Sequence, residues 1–343
     1  MGEIDLDQRV AKILEVKGLT VLNEARKVMI EDVKDESLRA PLQYLAEHWN
    51  DTLRPSLMAL SCEAVGGEAE ATTSAATAMT LLCSSMNIYN HIMDKTEMKK
   101  FVSTMPGKFG SGLTLIVAGL VTAKAFHVLS NARRGISASR LESVNRLFLV
   151  FLSKMSEAEA LNLRLRKKTD ISNLEKLQII KMQAVDFEAC MKIGATIGRG
   201  SESEVENLGE YGLCLGTAIG LKEDLLYTMN LTGELVNKMK TSPPYVIVWA
   251  INQSERARQF FSRIATQKEV LPADVEKAVK IMFESGAIDN VRGLIDEQIR
   301  CAIASLEKIG EGEARHALEL LAEIQCPTHL FASLLDYGGG QAS

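Results

Sequence analysis

The stretch that decides the fold runs from Ala75 to Asp94 and reads AATAMTLLCSSMNIYNHIMD. Its apolar residues cover more than one face of a helix, as they also do from Leu174 to Arg199, which is typical of the central helices of a large bundle. Only seven prolines interrupt the 343 residues, and long stretches are rich in alanine, leucine, methionine, glutamate and lysine, which favours helix throughout. We therefore predict an all-α fold, a single large helical bundle around a central cavity.

Glycines and prolines divide the chain into about ten helical segments. The breaks fall at Gly66-Gly67, Pro106-Gly107, Gly135, Gly198 to Gly200, Pro243-Pro244, Pro272 and Gly338 to Gly340. No linker in the sequence is long enough to separate domains, and no repeat recurs at a period of about 20 to 50 residues. We predict one helical domain over residues 1–337, followed by a flexible tail over residues 338–343.

Composition and charge argue against several classes of protein. Hydrophobic residues make up 46% of the chain, which is enough for a buried core. The six cysteines include no CxxC pair, so neither a zinc site nor a disulfide framework is favoured and a reducing cytoplasm is the expected compartment. The formal net charge is -5 and the one short basic run, from Arg164 to Lys168, is interpreted as a solvated helix face, with anionic lipid as the alternative contact. We expect no nucleic-acid partner.

Export and membrane insertion are not expected from the sequence. The acidic start of the chain lacks the basic and apolar regions of a signal peptide. The apolar stretch from Leu113 to Val121 is interrupted by Gly119 and is well short of the roughly 20 residues that span a bilayer. We interpret it as a buried helix and predict no transmembrane segment.

Seven local patterns follow one another along the chain. They are Leu53 to Leu57 with Glu63 to Gly67, Ile88 to Asp94, Lys99-Lys100, Phe109-Gly110 with Ala118-Gly119, Lys181-Met182, Tyr211-Gly212 to Tyr227, and Lys240 to Pro243. In order and spacing they resemble the motifs of the trans-isoprenyl diphosphate synthases, the polyprenyl synthetase family, over essentially the whole chain. The resemblance implies the isoprenoid-synthase type of bundle, in which two aspartate-rich clusters hold about three magnesium ions against an allylic diphosphate.

The first aspartate-rich motif departs from the family pattern Asp-Asp-x-x-Asp. Asn90 and His91 stand where the first two aspartates would be, and Asp94 is the one carboxylate left. Magnesium prefers hard oxygen ligands in an octahedron, and a histidine ring suits it poorly. We therefore predict that the first metal site binds magnesium weakly.

The second motif keeps more of its charge. Glu223 and Asp224 retain carboxylates, whereas Tyr227 replaces the last one and Lys222 adds a cation alongside. Three carboxylates, Asp94 included, are too few for three divalent ions. For Glu223 and Asp224 a solvated acid pair and residual metal binding stay open as alternatives.

The pocket for isopentenyl diphosphate, as the resemblance places it, has changed further. Asp51 and Thr52 stand at the Lys and first Arg of the family motif GGKRxRP, and Cys83 stands at its His. A carboxylate beside a diphosphate repels it. The family pattern Gly-Gln-x-x-Asp appears as Ala158 to Asn162. Residual contacts to an anionic headgroup are predicted for five basic residues: Arg54, Lys99, Lys100, Lys181 and Lys240.

These losses indicate a helical frame without most of its chemistry. Some members of the family work as heteromers in which a degenerate homologue docks on a motif-intact subunit, and we predict that role here. The expected partner is a catalytic prenyl diphosphate synthase homologue, in a heterodimer or heterotetramer with a prenyl diphosphate in the shared complex. Magnesium is then held by the partner, or weakly by this chain. The alternative is a class I terpene synthase-like enzyme or weakened prenyltransferase that ionises an allylic diphosphate through Asp94, Glu223 and Asp224.

Overall fold

The computed structural model describes residues 2–99, 102–131, 136–166, 168, 170–229, 239, 241–267 and 271–326. The first half holds α1 (Gly2–Ile30), α2 (Glu36–His48), α3 (Leu53–Ala64), α4 (Thr73–Met93), α5 (Met105–Phe109), α6 (Ser111–Ser130) and α7 (Ala138–Leu165). The second half holds α8 (Asn173–Gln183), α9 (Val185–Ile197), α10 (Glu202–Met229), α11 (Tyr245–Gln253), α12 (Glu255–Thr266), α13 (Pro272–Glu284), α14 (Ala287–Leu306) and α15 (Glu313–Glu323).

Helices account for nearly all of this structure, and the predicted all-α fold is confirmed. A 3-10 turn at Ala69–Thr72 precedes α4. Within the described ranges the strands are β1 (Met98–Lys99) and β2 (Val102–Ser103), which pair antiparallel with Met98 opposite Ser103. The tail predicted over residues 338–343 lies outside the described residues.

The chain divides into two compact units. The first comprises Met1–Phe151, Asp186–Gly212 and Ala304–Leu321, and the second comprises Leu152–Val185, Leu213–Ile303 and Ala322–Ser343. The boundaries between the units fall within five helices: α7, α9, α10, α14 and α15. The single domain predicted over residues 1–337 stays a prediction.

In the first unit, α3 and α9 pack with their backbones close together. Every α3 residue from Pro55 to Cys62 is buried. A Cβ atom placed on Gly194 of α9 would lie 2.2 Å from the carbonyl oxygen of Met58, so glycine is needed for this approach. The Ser61 hydroxyl donates a hydrogen bond to the Met191 carbonyl at 2.5 Å. These contacts hold the middle of α9 against the middle of α3.

Helix α6 runs along α4 in the same unit. The buried Ser85 hydroxyl donates to the Ala118 carbonyl at 2.9 Å. By length and composition α6 is able to span a membrane, and it is the one such helix in the described part of the chain, with 33% of its apolar window buried. The apolar helix is longer than the predicted stretch, and the prediction that it is buried is wrong for one face, where Leu115 is 51% and Ile116 60% exposed. The absence of a transmembrane segment stays a prediction.

The second unit has its own core, built from α8 and α10 to α14. Phe260 and Phe261 lie in it, together with Ile247 of α11 and Ile295 of α14. Cys214 of α10 and Cys301 of α14 form a disulfide, with Cα atoms 6.2 Å apart. The prediction against disulfides is therefore wrong for this pair. The two cysteines are 87 residues apart in sequence, and only the packing of α10 with α14 makes them neighbours.

Candidate functional site

Arg54, at the start of α3, lies in a cluster of carboxylates from its own chain. Its Nε and Nη2 groups both donate to Asp186 Oδ2, at 2.7 and 2.5 Å. Its Nη1 group donates to Asp51 Oδ2 at 3.0 Å. The guanidinium also stacks over the Phe187 ring, with its central carbon 4.6 Å from the ring centroid. Each nitrogen of the guanidinium is thus engaged by a carboxylate.

Both carboxylates are held in place by the ends of helices. Asp51 Oδ1 accepts the backbone N–H groups of Leu53 and Arg54 at 3.1 and 3.3 Å and so caps α3. Asp186 lies in the first turn of α9, where the positive end of the helix dipole favours an anion. Its Oδ1 atom accepts the Phe187 N–H at 2.8 Å. Neither carboxylate depends on Arg54 alone for its position.

Burial and charge shift the pKa values of this cluster. Burial raises the pKa of Asp186, and Arg54 offsets this effect in part. Burial alone would lower the pKa of Arg54, but the charges of Asp186 and Asp51 raise it well above its ordinary value. The Cys83 thiol, which stands at the predicted histidine position on α4, is buried, and burial raises its pKa. Arg54 therefore stays charged, while Cys83 is neutral near pH 7.

The first motif lies at the C-terminal end of α4. Asn90 and His91 are half-buried in its last turn, and Asp94 is the C-cap residue. The Asp94 N–H donates to the Asn90 carbonyl at 2.8 Å, and the Thr96 N–H donates to the His91 carbonyl at 2.9 Å. Within the described ranges no three His, Cys, Asp or Glu side chains come together to hold a metal ion. One carboxylate beside an amide and an imidazole does not fit the oxygen ligands that a magnesium cluster requires.

In the second motif the two carboxylates lie in different environments. Asp224 Oδ2 accepts the backbone N–H of Tyr245, the first residue of α11, at 2.9 Å. The same oxygen lies 3.7 Å from Lys176 Nζ of α8, which also donates to the Ser242 hydroxyl at 3.0 Å. Lys176 is only 4% exposed. Asp224 thus joins α8, α10 and α11, whereas Glu223 is exposed.

A third polar group lies on α7, at the predicted counterpart of the Gly-Gln-x-x-Asp pattern. Glu159 and Asn162 are buried. Gln183 of α8 donates to Glu159 Oε1 at 2.8 Å, and Asn162 donates to Glu159 Oε2 at 3.5 Å. Lys181, two residues before Gln183, is exposed. The α8 side chain that contacts this group is therefore Gln183, and the diphosphate contact predicted for Lys181 stays a prediction.

The remaining predicted residues are dispersed or lie outside the described residues. Thr52 is at the N-cap position of α3 but makes no side-chain cap hydrogen bond, so Asp51, one residue earlier, takes that role. The Thr52 carbonyl accepts the Ser56 hydroxyl at 2.7 Å. Lys99 is half-buried in β1. Lys100, Lys240 and the side chain of Tyr227 lie outside the described residues. The predicted diphosphate contacts therefore stay predictions. Among the five basic residues, Arg54 is the one whose side chain lies in the carboxylate cluster described above.

Sequence reasoning missed Asp186, Lys176 and Gln183. Asp186 lies 132 residues from Arg54, and no local spacing connects the two. Lys176 follows Glu175 in a helix whose charges suggest a solvent-exposed face. One available signal was Asp186 itself, which lies between the apolar residues Val185 and Phe187, because a carboxylate flanked by apolar residues needs a partner when it is buried.

Comparison with known proteins gives a consistent result. The polyprenyl synthetase family model matches residues 35–282. A short chain isoprenyl diphosphate synthase from Methanothermobacter thermautotrophicus is 27% identical over 312 residues, covering 88% of this chain and 93% of the relative. A geranylgeranyl diphosphate synthase from Methanosarcina mazei is 25% identical over 310 residues, covering 89% of this chain and 90% of that protein. The crystal structure of geranylgeranyl pyrophosphate synthetase from Pyrococcus horikoshii superposes with a TM-score of 0.84 at 22% identity, covering 95% of this chain and 99% of that one.

Proposed function

The chain belongs to the polyprenyl synthetase family, and we propose that it is a catalytically degenerate member that acts as the regulatory or small subunit of a heteromeric (poly)prenyl diphosphate synthase in isoprenoid biosynthesis. The relatives named above are prenyl diphosphate synthases, which places the chain among prenyltransferase homologues. In this role the chain lies in the cytoplasm, and its partner subunit holds the magnesium.

The observation that carries the proposal is that Arg54 is neutralised by Asp51 and Asp186 of the same chain. A residue that binds a diphosphate must offer its charge to the ligand, and this guanidinium has two carboxylates against it. The first motif adds to the argument, since only Asp94 remains as a hard anionic ligand at Asn90, His91 and Asp94. Neither region favours an allylic diphosphate with its metal ions.

An exposed apolar stripe on α6 supports the proposal that the chain binds a partner subunit. Leu115, Ile116 and Phe126 are 51%, 60% and 45% exposed. Gly119 and Ala123, which are also exposed, continue the stripe between them at helical spacing. A row of large apolar side chains on one helix face is a typical contact surface between subunits. We assign this α6 stripe as the surface that meets the catalytic homologue.

The test is a prenyl transfer assay with radiolabelled isopentenyl diphosphate, allylic diphosphates and magnesium. The chain is assayed alone, and then mixed with a motif-intact homologue from the same genome. We expect no product from the chain alone, and a changed rate or product length in the mixture. Product or diphosphate release by the chain alone would instead support a terpene synthase-like enzyme or weakened prenyltransferase working through Asp94, Glu223 and Asp224.

A matched pair of variants tests the α6 stripe in the same mixture. Ile116→Glu places a charge in the centre of the stripe, and we expect it to abolish both the complex on size-exclusion chromatography and the effect on the partner. Leu174→Glu places the same charge at a residue of α8 that is 75% exposed, and it should leave both unchanged. Equal effects of the two variants would remove α6 as the contact surface.

A further inference from the structure

Asp186 is a negative charge built into the position where Arg54 would meet an anionic ligand. One of its oxygens receives two of the guanidinium N–H groups, at 2.7 and 2.5 Å, and the other receives the Phe187 N–H at 2.8 Å. The helix that carries it, α9, is held on α3 by the Ser61 contact with Met191 and by the close approach of Gly194 to Met58. The carboxylate is therefore held in place before any ligand arrives.

The geometry gives this carboxylate an advantage over an external anion. A carboxylate that the fold holds within hydrogen-bonding distance of Arg54 competes with a dissolved anion at a high effective concentration, because its translational freedom is already lost. With Asp51 and Asp186 both ionised, the three charges of the cluster sum to one negative charge. An anion that displaced Asp186 from Arg54 would leave a carboxylate in a buried place without its cation, which is strongly unfavourable.

We propose that Asp186 acts as an internal substitute for a diphosphate at Arg54 and is the residue that closes this site to pyrophosphate and prenyl diphosphates. This inference deepens the proposed function and rests on it for its biological sense. In chemical terms, Asp186 determines ligand specificity: with it the site is a self-neutralised ion cluster, and without its charge the site offers a guanidinium to a phosphate oxygen.

Asp186 carries this role more directly than Asp51. Asp51 is three residues from Arg54 and has a second task, because it caps α3 through the N–H groups of Leu53 and Arg54. It contacts only one guanidinium nitrogen, at 3.0 Å. Asp186 comes from another helix and occupies two guanidinium nitrogens. Removing the charge of Asp186 therefore opens more of Arg54 and leaves the α3 cap intact.

The test measures binding of inorganic pyrophosphate to the full chain in magnesium-free buffer, by isothermal titration calorimetry. We expect no measurable binding by the unchanged protein up to millimolar pyrophosphate, and at least tenfold tighter binding by Asp186→Asn. Asparagine keeps a hydrogen-bond acceptor for Arg54 and removes only the charge. The matched control is Glu188→Gln, which removes a charge two residues further along α9, from a side chain that pairs with Lys192 at 3.1 Å. This control should bind no better than the unchanged protein.

Two results overturn the inference. One is pyrophosphate binding by the unchanged protein as tight as that of Asp186→Asn, and the other is a folded Asp186→Asn that does not bind. If that variant does not fold, Asp51→Asn decides, since asparagine is also a good helix cap and halves the negative charge around Arg54. It should bind pyrophosphate several-fold better than the unchanged protein, and no gain counts against the role of these charges.

The outcome is separable from that of the proposed function. The assay with the motif-intact homologue reports whether the chain alters a partner, and the titration reports only on the Arg54 cluster. A chain that leaves its partner unaffected but gains pyrophosphate binding through Asp186→Asn would disprove the subunit role and retain the role of Asp186. The reverse result would retain the subunit role alone.

Discussion

In the described part of the chain, half-buried Arg54 and buried Lys176 are both neutralised by carboxylates of the same chain, and the two clusters differ in where those carboxylates come from. At Arg54, in the first unit, the partners Asp51 and Asp186 lie outside both aspartate-rich motifs. At Lys176, in the second unit, the partner is Asp224, a residue of the second motif itself. Around Arg54 the acids come from outside the motifs, whereas at Lys176 a motif carboxylate links three helices.

The difference teaches that retained charge is a poor guide to retained chemistry. Asp224 matches the motif, yet its oxygen accepts the Tyr245 N–H and faces Lys176. Asp186 matches no motif and controls the environment of the one arginine that the family resemblance singles out. What a carboxylate contacts decides whether it can hold a metal ion.

The largest effect is expected from Arg54→Met. This change leaves the buried carboxylate of Asp186 and the half-buried carboxylate of Asp51 without a cation, and breaking a buried ion pair typically costs about 3 to 5 kcal/mol. Urea unfolding at pH 7 measures the loss. The matched control is Arg256→Met, whose partner Glu284 and own side chain are largely exposed, and it should change the free energy of unfolding by less than about 1 kcal/mol.

The loss in Arg54→Met should shrink as the pH falls. Burial raises the pKa of Asp186 even beside Arg54. The native state therefore binds the proton of the Asp186 carboxyl more tightly than the unfolded chain does, in which aspartates have a pKa of about 3.9. The contribution of this proton to stability is complete below the unfolded pKa and is lost as the pH rises through the native one. Without Arg54 the native pKa rises further. If Arg54→Met lost as much free energy of unfolding at pH 5 as at pH 7, the unpaired carboxylates of Asp51 and Asp186 would not be the cause of the loss.

The next largest effect is expected from Asp224→Ala, which leaves the buried ammonium of Lys176 without its carboxylate and the first N–H of α11 without its acceptor. Loss of a helix cap and of a charged hydrogen-bond partner together should cost about 2 to 4 kcal/mol in the free energy of unfolding. Glu223→Ala, one residue away and exposed, should cost less than about 0.5 kcal/mol. Urea unfolding of both variants makes the comparison. Equal losses, or stabilisation of the unchanged protein by magnesium that Asp224→Ala abolishes, would mean that Asp224 is a metal ligand after all.

A smaller effect is expected when the first motif is rebuilt by Asn90→Asp and His91→Asp. Positions 90 and 94 are four residues apart and so lie on the same side of the helix. A carboxylate at position 90 and that of Asp94 can therefore reach the same ion. Magnesium at ten times its Kd should then stabilise the double variant by about 1.4 kcal/mol, measured by thermal unfolding, and should leave the unchanged protein unaffected. Prenyl transfer by the variant alone would show that the Arg54 cluster is no obstacle to substrate, whereas binding without turnover agrees with a site closed by Asp186.

The sequence was sufficient where a pattern is local. The helical fold follows from stretches such as Ala75 to Asp94, whereas the departures at Asp51, Asn90 and His91 rest on the family resemblance and stay predictions. It was insufficient where the contact depends on packing. Asp186 meets Arg54 because α9 lies on α3, Lys176 meets Asp224 because α8 packs beside α10, and Cys214 meets Cys301 across two helices. Charged residues and cysteines carry no mark of their distant partners.

The smallest change in stability is expected from the ion pair between Lys168 and Glu175, the residue before Lys176 on α8. Unlike the pair between Lys176 and Asp224, it is exposed to solvent. The Lys168 ammonium at 2.6 Å and the N–H and hydroxyl of Ser172 lower the pKa of Glu175 to about 2. The stability from this group is present above the unfolded glutamate pKa of about 4.3 and is lost as the pH falls through about 2. Lys168→Met should raise the pKa of Glu175 in a carboxyl NMR titration and move the urea midpoint at pH 7 very little, because an exposed pair is screened by water. Lys181→Met removes an exposed lysine from the same helix and should leave that pKa where it was. A large loss of stability in Lys168→Met would mean that burial is not what separates Lys176 and Asp224 from the ordinary ion pairs of the surface.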